Sequence, residues 1–150
     1  MAKCTAKLPD ELLKKLSRLG TSMDTIANAA LKAGGNVVLK KTKSNLQEVV
    51  SDNSTGQLVN ALGLSPVLVD RNGNYNIKVG FDEYRRDGSS NAMVANIIEY
   101  GKHGQPAKPF LKNAKTASKK ECESVMARTI EEEIKKIWTY YLKLNQLLKL

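Results

Sequence analysis

Histidine occurs once in this chain, cysteine twice and tryptophan once, and aromatic side chains make up only 5% of it. Each scarcity removes a class of function. With His103 as the sole imidazole, no multi-histidine metal site or histidine relay can be built, and no Gly-x-Ser-x-Gly elbow offers a nucleophile. Cys4 and Cys122 are too few and too widely spaced for a disulfide framework or a structural zinc site, so both are expected as thiols. No run of about 18 apolar residues is present, nor the charged, apolar and small-residue succession of a secretion signal, which argues against a membrane partner and for synthesis in a cytoplasm. Gly101-Lys102-His103-Gly104 is basic and glycine-rich but lacks the Gly-Lys-Ser/Thr ending of a phosphate loop. The reading is of a protein that is not an enzyme and takes no cofactor.

What the chain does have is aliphatic bulk and positive charge. Of its 150 residues, 41% are apolar and 26% charged, a globular composition, and the length suits one domain spanning 1–150 with an aliphatic core. A formal charge of +9 favours a polyanion or an acidic protein as partner. The lysines are nonetheless scattered through every segment, with no basic block interleaved with aromatics, as solvated helix faces would be.

In chain order, Pro9-Asp10-Glu11 opens a helix whose face is Leu12, Leu16 and Leu19, and Thr21 with Asp24 makes a capping box that restarts it. Met23, Ile26, Ala30, Ala33 and Val37 continue the seam, as two antiparallel helices or one long kinked one. Gly34-Gly35 marks close helix packing or a bend. After the polar break at Ser51–Ser54, Thr55 can cap a short helix through Leu62, ended by Gly63. Pro66–Val69 and Tyr75–Phe81 read as strands joined by Asp70-Arg71-Asn72-Gly73-Asn74, which is hairpin chemistry. Asp82–Ser90 is charged and reads as an exposed, potentially mobile loop.

The most individual stretch is Asn91–Ala114. Met93, Val94, Ile97 and Ile98 recur at helical spacing, although Ile97-Ile98 also suits a strand; a short helix is preferred. Gly101 fits a left-handed position past the helix end. Gly104, Pro106 and Pro109 stiffen the connection that delivers Phe110 and Leu111 as an apolar anchor at the start of the last helix. Glu99, beside Ile97, Ile98 and Tyr100, is either an exposed acid near a helix end or a buried one in need of a partner, with Arg85, Arg86 or a neighbouring subunit's lysine as candidates. The final helix is expected over Ala114 to about Tyr141, with Cys122, Met126, Ile130, Ile134 and Ile137 on one face and Glu131–Lys135 and Glu132–Lys136 as i,i+4 pairs. Residues 138–150 form an apolar C-terminal extension. The fold class expected is α+β, with long N-terminal helices and a long C-terminal helix packed on a small antiparallel β-sheet.

Glu99-Tyr100-Gly101, a short loop, then Pro109-Phe110-Leu111 leading into a long helix resembles the hallmark of a tailed-phage family. These are the neck or minor tail components of lambdoid siphophages, the tail-completion or head-tail joining proteins. Thr55-Gly56-Gln57-Leu58 with Leu62 is a second, weaker match, to the family's short central helix. The resemblance implies a structural virion protein at the neck, forming a homo-oligomeric ring between the head connector or head-closure protein and the tail terminator or tail tube. On that reading Glu99, Tyr100, Gly101, Pro109, Phe110 and Leu111 are the assembly and anchor candidates. Non-specific contact with phage DNA is a further partner. The alternative is a small basic protein that binds nucleic acid without sequence preference, against which stands the lack of a helix-turn-helix, zinc spacing or aromatic stacking platform.

Overall fold

A computed structural model describes residues 2–4, 23–52, 54–82 and 84–148. The expected helix over residues 9–19 and the Thr21 cap lie outside the described residues. In chain order the elements are β1 (Ala2–Cys4), α1 (Met23–Val49), α2 (Gln57–Asn60), β2 (Leu62–Leu64), β3 (Leu68–Val69), β4 (Tyr75–Phe81), α3 (Asn91–Tyr100) and α4 (Phe110–Leu148). The architecture is α+β, two long helices laid on a small antiparallel sheet.

From Met23 onward α1 is one helix with two working faces. Ile26, Ala30, Leu31, Val38 and Leu46 are buried, and the glycine pair sits between two layers. A Cβ on Gly34 would lie 2.4 Å from Met126 Sδ and 3.0 Å from Cys122 Sγ, whereas one on Gly35 would lie 3.1 Å from Leu64 Cδ2. Gly34 therefore admits α4 on one side and Gly35 admits the sheet on the other. The pair permits close packing on both sides, and its helical cost of about 1 kcal/mol per glycine is offset by that burial.

On α4 the buried seam is Phe110, Ala114, Ser118, Cys122, Met126 and Ile130, a strict succession of fours. Its small members, Ala114 and Ser118, keep the helices close, and the buried Ser118 hydroxyl donates to the Ala114 carbonyl at 2.7 Å. The buried Thr42 on α1 does the same to Val38 at 2.8 Å. Asn45 Nδ2 donates to the Phe110 carbonyl, Gly34 faces Cys122 and Met126, and Ile26 and Ala30 cluster with Ile130 and its neighbours Ile134 and Ile137. The two helices are thus antiparallel. At 39 residues α4 is about 58 Å long and begins at Phe110, four residues before its expected start, because Pro109 and not Ala114 sets the boundary. It also runs on to Leu148, past the expected end. The Lys136 ammonium pairs with Glu133 at 2.7 Å rather than with Glu132; this exposed i,i+3 pair contributes little.

The sheet is centred on β4. β1 pairs with one edge, Lys3 opposite Lys78; β2 and β3 occupy the other. β2 registers Leu64 with Val79, and β3 registers Leu68 with Asn76, so one extra residue is accommodated between them. That bulge holds Pro66, which cannot donate to a ladder, and Ser65 Oγ accepts the Lys78 N–H at 2.9 Å in its place. The expected strand over Pro66–Val69 is accordingly shortened to Leu68–Val69. Leu62 and Gly63, read as a helix end, belong to β2: the helix is a single turn, N-capped by Gly56 at φ 71°, not by Thr55.

The hairpin linking β3 and β4 closes as its residues suggest. Asp70 Oδ1 accepts the N–H groups of Asn72 and Asn74 at 2.8 and 2.9 Å, and Gly73 takes φ 79°. At the start of β4 the Tyr75 hydroxyl donates to Asp24 on α1, and this bond to a carboxylate raises the phenol's pKa. Among the described residues the 82–90 segment folds back as a small turn, with Arg85 N–H bonded to the Ser89 carbonyl and Asp87 accepting from Ser89.

Candidate functional site

The junction between α3 and α4 gathers the six candidate residues in one place but gives them different tasks. α4 starts with four N–H groups that no helical carbonyl can satisfy, and its N-cap position is held by Pro109, whose side chain has no acceptor. Glu99, at the end of α3, supplies the cap. Its Oε2 accepts the Leu111 N–H at 2.8 Å and its Oε1 accepts the Lys112 N–H at 3.0 Å, from a side chain only 5% exposed. The buried acid is thus answered by the backbone of a helix N-terminus and not by Arg85, Arg86 or a lysine. Such a terminus carries partial positive charge that suits a carboxylate. Glu99→Gln, which leaves one acceptor oxygen for two donors, is expected to cost about 1–3 kcal/mol. The check is a lower denaturant midpoint at an unchanged m-value; an unaltered midpoint would show that the cap contributes nothing.

Between cap and helix the loop is tightly bound. Gly101 N–H bonds the Ile97 carbonyl at 2.8 Å, Lys102 and Gln105 exchange two backbone hydrogen bonds, and Lys108 N–H returns to the Ile98 carbonyl at 2.7 Å. Gly101 has φ 77° and ψ 176°. That is not the left-handed helical geometry expected but the mirror of extended chain, essentially closed to other residues, because the backbone must leave α3 straight into the 102–105 turn. His103 and Lys102 are exposed at the tip of this turn.

Phe110 is 1% exposed and meets Phe81 edge-on, ring centroids 6.4 Å apart at 72°. Leu111 is half-buried against the same core, while Pro109 is exposed and Tyr100 is 76% exposed. Three candidates therefore face inward, Glu99, Phe110 and Leu111, and two face solvent, Tyr100 and Pro109. Asn45, which ties α1 to the first carbonyl of α4, has no sequence signal: a polar residue late in a helix gives no hint of a partner 65 residues away.

The other surface that departs from ordinary polarity is the far end of α4. Trp138 is 54% exposed, Leu147 69%, and Tyr140 and Leu142 are likewise open to solvent. Ile137 is the last residue of α4 in the cluster with Ile26 and Ala30. A helix end apolar on several sides is characteristic of a buried helix. Among the described residues no group of three histidine, cysteine or acidic side chains is placed to hold a metal, and no helix is long and apolar enough to cross a membrane.

A family profile described as "Bacteriophage HK97-gp10, putative tail-component" matches residues 10–101, more than half of the chain, and ends at Gly101. No curated protein and no solved structure matches it.

Proposed function

The chain belongs to the HK97-gp10-like family of bacteriophage tail components, and on that premise we propose that it closes into a homo-oligomeric ring at the neck, joining the head connector to the tail. Its role is structural and its partners are other phage structural proteins. The finer reading, tail completion between the head-closure protein and the tail terminator or tube, is supported chiefly by the exposed apolar end of α4. Trp138, Tyr140, Leu142 and Leu147 expose apolar area on more than one side of the helix, and exposed apolar area of this kind marks an interaction site. In this reading residues 1–150 act as one unit and the 138–150 extension is its handle for a neighbouring copy. The 101–109 loop, held rigid by the Glu99 cap and presenting Tyr100 and Pro109, docks on the adjoining ring. The first contact is between copies within the ring and the second between rings, so the two surfaces serve different interfaces.

Electron microscopy of the particle neck tests this. The expected image is a closed ring of copies of this chain, with the end of α4 covered by a neighbour; single copies, or a location away from the neck, would overturn the reading. A monomer in dilute solution is compatible with assembly on the connector.

A further inference from the structure

Two uncovered features stand at opposite ends of the α1–α4 pair. One is a groove of about 590 Å³ where the end of α1, the 51–58 turn, α3 and the 105–108 stretch meet. Its floor is aliphatic: Val49, Val50, Leu58, Val94 and Ile98 line it, each buried or half-buried against the main core. Its rim is polar. Glu48 and Asp52 are exposed on the α1 side, while Lys108 and the half-buried Arg85 lie on other walls. Neither acid makes an ion pair among the described residues, where the single salt bridge joins Lys136 to Glu133.

The other feature is the end of α4. Residues 134–150 contain four lysines and no aspartate or glutamate. Positions 140, 143 and 147 fall on one side of a helix, and Tyr140, Lys143 and Leu147 are all exposed. An apolar residue at each end and a cation between them is the i, i+3, i+7 pattern of a helix that lies in a groove. A chain cannot bring its own two features together. At about 1.5 Å per residue, Trp138 stands about 42 Å along α4 from Phe110, and the cluster of Ile26 and Ala30 with Ile130, Ile134 and Ile137 holds that part of α4 at the start of α1, away from Val49 and Val50.

We propose that the Tyr140–Lys143–Leu147 stripe of one copy seats in the Val49–Ile98 groove of the next. The inference rests on the ring reading and deepens it, by naming the surface that receives the end of α4. Tyr140 and Leu147 meet the aliphatic floor, and Lys143 meets Glu48 and Asp52 at the rim, where such charges fix orientation more than affinity. A second copy is favoured over a different tail protein because the unpaired acids and the acid-free basic helix end occur on the same chain, out of each other's reach. One repeated contact then covers both. Groove and stripe are different surfaces, so the contact is head-to-tail, the kind that closes into a ring.

The test is disulfide cross-linking of the full-length protein, in assembled necks and in concentrated solution. One double variant carries Asp52→Cys with Lys143→Cys, a second Gln105→Cys with Gln146→Cys; all four positions are exposed, and unchanged melting under reducing conditions confirms folding. A disulfide forms only where the two Cα atoms come within about 7 Å. The expected result is a ladder of covalent multimers, trimers and beyond, from at least one double variant, no more than the parent's background from any single variant, and loss of the ladder when Tyr140→Ser and Leu147→Ser are added. No ladder from either pair, a disulfide closed within one chain, a single variant that dimerises as readily as the double, or a ladder that survives the two serines would each overturn the inference. A ring seen at the neck without the ladder would sink this contact and leave the ring reading standing, whereas a ladder in solution with no ring at the neck would keep the contact and sink the ring reading.

Discussion

Phe110→Ala is expected to destabilise the protein by about 3–5 kcal/mol, the range for removing a buried phenylalanine from a packed core. For a chain of 150 residues that corresponds to a melting point lower by roughly 6–20 °C. The size follows from where the ring lies. At 1% exposure Phe110 belongs to the main cluster with Leu46, Leu58, Leu62, Val79 and Ala95, so it touches α1, the sheet and α3 together. Being the first residue of α4, tied through its carbonyl to Asn45, it cannot slide to fill the void. Phe81, its edge-on partner, is only half-buried, and Phe81→Ala should cost clearly less. Thermal or denaturant unfolding of the two variants side by side measures this, and a Phe110 variant within about 1 kcal/mol of the parent would show that the junction is not anchored there.

Gly101→Ala carries the second large expectation, a loss of about 3 kcal/mol or more. Two costs combine. The φ 77°, ψ 176° geometry is worth about 1–3 kcal/mol of strain to a residue with a side chain, and a Cβ would stand 2.8 Å from both Ala107 N and Gln105 O. Those are backbone atoms of the loop that carries Pro109, so they cannot yield without moving the start of α4 away from Glu99. Gly104 supplies the control, because it has nearly the same φ, 76°, but open space where its Cβ would go. Gly104→Ala should therefore lose only the conformational share, about 1–2 kcal/mol. Equal denaturation midpoints for the two variants would remove the close-approach argument.

The contrast between these glycines shows how the candidate site reads at each level. Sequence spacing marks Gly101 as a helix terminator, and Pro109-Phe110 as a stiff delivery of an apolar ring, because those are local properties of the backbone and of proline. It does not reveal that Glu99 caps α4, since the two are brought together only when the 101–109 loop closes on Ile98. Nor does it distinguish Gly101 from Gly104, which have nearly the same φ but differ in what surrounds them. β1 was likewise invisible: three residues acquire strand character only by pairing with Lys78 and its neighbours on β4.

Local and periodic features were legible from the order of residues: the α+β class, the hairpin closed by Asp70–Asn74, the strand Tyr75–Phe81, the short helix ending at Tyr100, and the apolar seam from Cys122 to Ile137. These depend on side-chain period and turn chemistry, and both act between near neighbours. Tertiary structure decided the rest. The antiparallel pairing of α1 with α4, admitted at Gly34 where a methyl group would strike Met126, set Asn45 against the first carbonyl of α4 and closed the core around Phe110. The same pairing ended at Ile137 and left Trp138 and Leu147 exposed beyond it. Which apolar area stays exposed is decided only when separate helices fix their heights relative to one another, and that registration is set by packing between residues far apart in the chain.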